Sequence, residues 1–218
     1  MIVAAMKAAS PGLLREAFPS LAADVPIVLY VGRHDAEKGI DLLLYAANIV
    51  RRRGVAFQLV CAGASSFGEQ YLETCKGIAE HLRLPVLWAE GVPHHLRDAL
   101  LVRSRCVVCP SIHREPFGMV AAEAMSHGTP VLVPDQGGVL EIIAEGDRRG
   151  GLTFKTWDSG ALAAALERLL VDDTLQAELA ANARGLAARF SIERLVERVL
   201  AHMGIEDVGS DSSPPSKG

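Results

Sequence analysis

Residues 106–133 read CVVCPSIHREPFGMVAAEAMSHGTPVLV and pass from one short apolar run, through a longer mixed segment, to a second apolar run. Similar apolar runs occur earlier in the chain, separated by segments with the apolar spacing of a helix. This alternation predicts parallel βαβ units with right-handed crossovers, and therefore a doubly wound α/β sheet with helices on both faces. The predicted strands are 27–31, 57–62, 86–89, 106–109 and 131–133, and helices are predicted at 41–53 and 70–82.

The chain has a purely helical pattern from about residue 158 onward. Segments 160–171, 174–189 and 192–203 are rich in Ala, Leu, Arg and Glu, which favours helices packed on one flank of the sheet. Residues 209–218 contain no large apolar side chain. Ordering such a segment costs conformational entropy that burial does not offset, so we expect a disordered tail over 205–218.

Charge and hydropathy argue against several classes of partner. The 218 residues carry 22 Lys and Arg against 26 Asp and Glu, a net charge of -4, whereas proteins that bind DNA or RNA present a basic surface. No apolar run approaches the roughly 20 residues that cross a bilayer, so we expect a soluble, cytoplasmic protein. Contact with a membrane surface stays open at this stage.

The four cysteines form no disulfide-rich pattern, which agrees with a reducing compartment. Cys106 and Cys109 have CxxC spacing but lie in a predicted strand, where side chains three residues apart point to opposite faces. They therefore cannot share a metal ion, and a redox CxxC normally opens a helix instead. We expect a structural role for both cysteines and no metal site.

The loop after the first predicted strand carries two cations. Residues 32–39 read GRHDAEKG, with Arg33 and Lys38 just before a helix start, a combination suited to an anion such as a diphosphate. The alternative is that Arg33 pairs with Asp35 or Glu37 on a solvated loop. The loop contains neither G-x-G-x-x-G nor G-x-x-x-x-G-K-[ST], which argues against an NAD-dependent dehydrogenase and a P-loop nucleotide hydrolase.

A second candidate ligand segment is 115–131. Pro116 suits a first helical turn, and Gly118 removes a side chain where backbone could approach a ligand. Glu115 is expected just before the helix and Glu123 about two turns along it. Carboxylates accept hydrogen bonds from paired hydroxyls, so this pattern suits a ligand with sugar, diphosphate and ribose in line, which describes a nucleotide sugar.

Taken in order, these motifs resemble the retaining glycosyltransferases of GT-B architecture, the group 1 family that includes glycogen, sucrose and lipopolysaccharide synthases. One departure is Leu140 in the stretch GGVLE at 137–141, where the family often has proline in Gly-Gly-x-Pro-Glu. The resemblance implies a Rossmann-like, C-terminal donor-binding domain over 26–204, with 1–25 as a remnant of the connection between two domains. It rests on Gly32-Arg33, Lys38-Gly39, the Glu-x7-Glu spacing of Glu115 and Glu123, GTPV at 128–131 and GGVLE at 137–141.

The resemblance also implies roles for single residues. Arg33 and Lys38 match the residues that bind the donor diphosphate, and Glu115 matches the residue that faces the donor sugar. Glu123 matches the residue that holds the ribose hydroxyls, and Val92 falls where the base is held by backbone groups. The residues implied to bind the donor are Gly32, Val92, Phe117, Gly118, Met119, Val120 and Glu123.

The expected function is retaining transfer of a glycosyl group from a nucleoside-diphosphate sugar to an unknown acceptor, without a cofactor and without a metal at the diphosphate. An acceptor-binding domain is expected elsewhere in the full-length protein or in a partner chain. Three alternatives stay open: a donor-binding subunit of a split transferase, an inactive fragment, and a sugar-nucleotide epimerase. Epimerases share the architecture but lack the Glu-x7-Glu arrangement, so this alternative ranks lowest.

Overall fold

The computed structural model describes residues 2–66 and 68–203, so the predicted tail at 205–218 lies outside the described residues. The helices are α1 Ile2–Ala17, α2 Ile40–Arg52, α3 Gln70–His81, α4 His94–Arg103, α5 Met119–Ser126, α6 Val139–Ile143, α7 Ser159–Val171, α8 Asp173–Ala187 and α9 Ile192–His202. The strands are β1 Ile27–Val31, β2 Gln58–Gly63, β3 Val86–Glu90, β4 Ser104–Val108, β5 Val131–Pro134, β6 Ala144–Glu145, β7 Arg148–Arg149 and β8 Gly151–Phe154.

Six strands form one parallel sheet in the order β3-β2-β1-β4-β5-β8. The predicted doubly wound α/β fold is confirmed. The strand order reverses between β1 and β4, where Val28 lies beside Leu59 on one side and Cys106 on the other. In such sheets ligands bind at the carboxyl ends of the strands near this reversal, so the loops after β1 and β4 are the first place to look for a site.

Helices cover both faces of the sheet and create two cores. Val28 and Tyr30 point into the core formed with α2, α3 and α7, whereas Ile27 and Leu29 point into the core formed with α1, α4, α5 and α6. Burial on both faces explains why each central strand is a continuous apolar run. Cys106 lies in the first core and Cys109 packs against the second, so the prediction that they point to opposite faces is confirmed.

Helix α1 and strand β8 are among the elements that were not predicted from the sequence. Helix α1 packs along α4, and its Leu14 is only 4% exposed. Strand β8 extends the sheet beyond β5, close enough that a Cβ on Gly151 would lie 2.3 Å from the carbonyl oxygen of Val131. The local sequence favours neither element strongly, because α1 contains Pro11 and β8 is only four residues long. Packing against the rest of the fold therefore decides where both lie.

The C-terminal helical flank is present, but its helices differ in burial. Asp158 caps α7 by accepting from the backbone N–H of Ala161 at 2.8 Å, and α7 and α8 both contribute buried leucines to the cores. No residue of α9 is buried, and apolar side chains such as Ile192 and Leu195 stay exposed. Within the described part of the chain, no helix has both the length and the apolar character needed to span a membrane.

Candidate functional site

The loops after β1 and β4 meet at the carboxyl edge of the sheet. The backbone N–H of Ile112 donates to the carbonyl oxygen of Glu37 at 3.0 Å. Gly39 adopts a left-handed φ of +64°, and a Cβ there would lie 2.3 Å from the carbonyl oxygen of Pro110. Only glycine fits this position. This close approach brings Lys38, one residue earlier, beside the second loop.

Between the two loops lies a cavity of about 420 Å³. Eight of the ten predicted site residues line it, which leaves Val92 and Glu123 outside. The eight are Gly32, Arg33, Lys38, Glu115, Phe117, Gly118, Met119 and Val120. The cavity also includes residues that were not predicted from the sequence, namely Tyr30, Val31, Cys109, Pro110, Ser111, Pro116, Pro134 and Val139.

Glu115 is held from two sides. The ammonium group of Lys38 donates a hydrogen bond to Oε1 of Glu115, and the Ser111 hydroxyl donates to the same oxygen at 2.8 Å. Burial raises the pKa of Glu115, but the hydrogen bonds from Lys38 and Ser111 outweigh it, so the pKa lies below its ordinary value. Glu115 therefore presents an ionised carboxylate to the cavity.

Arg33 pairs with acids of its own loop. Its Nη1 lies 2.6 Å from Oδ2 of Asp35, and its Nη2 pairs with Oε1 of Glu37. The structure therefore contains the alternative that the sequence left open, in which Arg33 pairs within its own loop. The Arg33 side chain is 42% exposed and lines the cavity, so these ion pairs do not bury it.

The start of α5 differs from the sequence expectation. Gly118 adopts a φ of +93°, and the helix begins only at Met119, so the prediction of Pro116 in the first turn is wrong. Glu123 is consequently the fifth residue of α5, about one turn from its start rather than two. A Cβ on Gly118 would also lie 2.8 Å from Cγ2 of Val139. Glycine is thus required by the protein's own packing.

The glycine pair before α6 supports the loop that carries Glu115. The backbone N–H of Gly138 donates to the carbonyl oxygen of Glu115 at 2.9 Å. A Cβ on Gly138 would lie 2.0 Å from the carbonyl oxygen of Pro116, and one on Gly137 would lie 2.7 Å from that of Glu115. Side chains at these positions would force the two loops apart, which explains physically why glycines stand there.

Val92 and Glu123 lie beyond the cavity lining. Val92 follows β3 and is half-buried against the core on the α4 and α5 side of the sheet. Glu123 faces α4, where its Oε2 lies 3.5 Å from Nη1 of Arg97. Neither residue joins the lining of the cavity.

Ser111 and Tyr30 are the most informative residues that sequence reasoning missed. Ser111 is only 3% exposed, and a polar residue three positions after a strand, at the carboxyl edge of the sheet, is a signal that could have identified it. The Tyr30 hydroxyl donates to the carbonyl oxygen of Arg33, and burial raises the pKa of Tyr30, so the phenol stays neutral and braces the loop. Among the described residues, no group of three or more His, Cys, Asp or Glu could hold a metal ion.

Comparison with known proteins identifies relatives along most of the chain. The family described as Glycosyl transferases group 1 matches residues 15–186. The alpha-D-kanosaminyltransferase of Streptomyces kanamyceticus is 36% identical over 170 residues, which cover 78% of this chain and 43% of that enzyme. The D-inositol 3-phosphate glycosyltransferase of Salinispora arenicola is 34% identical over 190 residues, covering 82% of this chain and 41% of that enzyme.

Solved structures match the fold. Sucrose-phosphate synthase from Thermosynechococcus elongatus superposes with a TM-score of 0.75 at 32% identity, over 88% of this chain and 48% of that one. Anabaena HepE, solved in complex with UDP and glucose, superposes with a TM-score of 0.78 over 90% of this chain and 52% of that one. At 24% identity, HepE supports the fold alone.

The chain spans about two fifths of the length of the curated relatives given above. Its match corresponds to the C-terminal half of GT-B enzymes, and it covers 48% of the sucrose-phosphate synthase chain and 52% of the HepE chain. The ordered motifs, the fold and the sequence relatives agree. The chain belongs to the group 1 family of glycosyltransferases.

Proposed function

We propose that this chain is the donor-binding half of a retaining glycosyltransferase, which binds a nucleoside-diphosphate sugar in the cavity between the loops after β1 and β4. The observation that carries the proposal is the convergence of Arg33, Lys38 and Glu115 around one cavity at the start of α5. Two cations and one ionised carboxylate in this space match a ligand that is anionic at one point and rich in hydroxyls at the next.

The diphosphate would bind at the cationic side of the cavity. A helix start has backbone N–H groups without intrahelical partners and the positive end of the helix dipole, and Met119 and Val120 supply these groups here. Arg33 and Lys38 are both paired with acids, and a diphosphate would compete for both cations. These groups would neutralise the phosphate charge without a metal ion.

The donor sugar would lie against Glu115. In the proposed reaction the bond between the anomeric carbon and the phosphate oxygen breaks while the acceptor oxygen bonds to the same face of that carbon. The acceptor proton leaves with the departing diphosphate. Arg33 and Lys38 would stabilise the negative charge that develops on the leaving group, and Glu115 would orient the sugar through its hydroxyls.

The nucleoside would extend along α5, with Glu123 accepting from the ribose hydroxyls and Val92 near the base. The sequence relatives are named as glycosyltransferases, and this chain covers only about two fifths of their length. The acceptor half would therefore lie in the rest of a longer protein or in a partner chain. The same coverage favours a second candidate, a donor-binding subunit of a split transferase.

Titration calorimetry with UDP, GDP and ADP, in the absence of divalent metal, tests donor binding. The wild-type chain is expected to bind one of these nucleotides selectively, and Arg33→Ala and Lys38→Ala to weaken that binding at least about tenfold, since each removes a charge-assisted contact to phosphate. Arg53→Ala is the matched control, because Arg53 pairs with Glu167 away from the cavity. Equal binding by wild type and both site variants would overturn the proposed role of these cations.

A further inference from the structure

Arg97 lies beyond the cavity, in the first turn of α4, and faces Glu123 of α5. Nη1 of Arg97 lies 3.5 Å from Oε2 of Glu123, and the two side chains are only 28% and 33% exposed. Such partly shielded charges are screened by salt less than charges on an open surface. The Nε atom of Arg97 is buried and has no hydrogen-bond partner among the described residues. The Nε atom of the Arg97 guanidinium is thus buried, and its Nη1 atom faces Glu123.

Glu123 shares a helix face with the cavity. Met119 and Val120 line the cavity, and they stand four and three residues before Glu123, a spacing that places side chains on one face of a helix. A ligand whose phosphates meet the start of α5 and which continues along this face reaches Glu123 next. It then meets the carboxylate that Arg97 holds.

We infer that Arg97 is a positioning residue that sets the preference of this site for a ribonucleotide over a 2′-deoxyribonucleotide. The inference rests on the proposed function, because it requires a nucleotide along α5. Arg97 holds Oε2 of Glu123, which leaves Oε1 to accept from the ribose hydroxyls. A glutamate without this partner must lose rotamer freedom when it binds a hydroxyl, and the loss weakens the contact.

At the opposite end of the site a carboxylate is also paired with a cation, there through closer, hydrogen-bonded contacts. There Lys38 and Ser111 both donate to Oε1 of Glu115, which fixes that carboxylate beside the cavity. Arginine suits the role at Glu123 because its planar guanidinium holds a carboxylate in a defined orientation, whereas a lysine ammonium supplies charge with less directional control.

The test is the ratio of two dissociation constants measured by titration calorimetry on the 218-residue chain. The probes are whichever of UDP, GDP and ADP binds most tightly and the 2′-deoxy form of the same nucleotide. The wild-type chain is expected to prefer the ribonucleotide at least about tenfold, as a hydrogen bond to a charged group allows. Arg97→Ala should reduce this preference to about threefold or less without changing the affinity for the deoxynucleotide, and Arg97→Lys should restore part of it.

Glu123→Ala and Arg53→Ala complete the design. Glu123→Ala should abolish the preference, and adding Arg97→Ala to it should change nothing further, because the two residues act through one contact. Arg53→Ala removes an arginine from another Arg–Glu pair and should keep the wild-type ratio. Circular dichroism and thermal melting establish that each variant is folded.

The outcomes separate the inference from the proposed function. A wild-type ratio that Glu123→Ala abolishes and Arg97→Ala leaves intact overturns the role of Arg97 and keeps the donor site. An equal loss of affinity for both nucleotides in Arg97→Ala also overturns it, since Arg97 would then act on another part of the ligand. If the folded wild-type chain binds none of the nucleotides, the proposed function fails and the inference fails with it.

Discussion

Lys38 and Glu115, 77 residues apart in the chain, form a hydrogen-bonded ion pair across the mouth of the cavity. The pair depends on the strand order, because β1 and β4 are neighbours in the sheet although two strands and three helices separate them in sequence. It joins the cation expected at the diphosphate to the carboxylate expected at the sugar. Ligand binding at either group must therefore affect the other.

Replacing Lys38 should raise the pKa of Glu115. In the wild-type chain, hydrogen bonds from Lys38 and Ser111 outweigh the effect of burial on the Glu115 carboxyl. In Lys38→Met the burial remains and the stronger donor is lost, so the carboxyl should titrate at higher pH. Carbon NMR of labelled glutamate measures this titration. Lys76→Met, which removes an exposed lysine paired with Glu73, is the control, and an identical Glu115 titration in Lys38→Met would refute the prediction.

Ser111→Ala should destabilise the chain by about 1–2 kcal/mol, because a buried hydrogen bond to a charged acceptor is lost while Lys38 still holds the same oxygen. Urea denaturation measures the difference. Ser126→Ala is the matched control, since its exposed hydroxyl donates to the backbone oxygen of Glu123 and otherwise contacts only the neighbouring ring nitrogen Nδ1 of His127 at 3.3 Å. It should change stability by less than about 0.5 kcal/mol. Equal effects in the two variants would contradict the role assigned to Ser111.

Gly138→Ala should cost more than about 2 kcal/mol of stability, because its Cβ would lie 2.0 Å from a backbone oxygen that cannot move without displacing Glu115. Nucleotide binding should weaken as well, if the proposed function holds. Gly77→Ala on α3 has open space around its Cβ and should be neutral or stabilising by up to about 1 kcal/mol. Thermal and urea unfolding compare the two variants, and similar stabilities would show that the loops can separate without cost.

The chain should become less stable as the pH is lowered, because the ring of His34 is buried. Both ring nitrogens are buried without a hydrogen-bond partner among the described residues, and desolvation lowers the pKa of His34 below 6.5. Below pH 6.5 the unfolded chain therefore binds a proton that the folded chain excludes, so unfolding becomes easier as the pH drops. The slope from this one group is at most about 1.4 kcal/mol per pH unit.

Two measurements check the His34 prediction. Urea denaturation between pH 7 and pH 5 should show a shallower decrease in stability for His34→Leu than for the wild-type chain. Proton NMR of the wild-type ring should show its titration displaced to lower pH. A ring that titrates at or above pH 6.5 would remove the physical basis of the prediction.

Much of the fold can be predicted from the sequence, because burial on both sheet faces makes each central strand a continuous apolar run. The run at 27–31 matches β1 at both ends, and the helix predicted at 41–53 differs from α2 by one residue at each end. The edge strand β8 was missed because four residues that begin with glycine carry too little pattern to separate a strand from a loop.

The candidate site could also be predicted only in part from the sequence. Eight of the ten residues expected there line one cavity, since the loops that follow the strands of one parallel sheet all lie at the same edge. Pro116 was placed in the helix because local sequence favours it there, whereas the left-handed turn at Gly118 delays the start of α5. A side chain at this turn would collide with Val139, and no local pattern records that contact.

The sequence by itself determined the class of fold, the strands at its centre and the charged residues of the candidate site, because these follow from periodicity and from motif order. The tertiary structure alone decided which side chains share a partner. Ser111 joins Lys38 at one carboxylate oxygen, and Arg97 faces Glu123 from another helix. The reason is that such contacts join residues distant in sequence, and their distances depend on strand order and on the closeness of backbones at glycines.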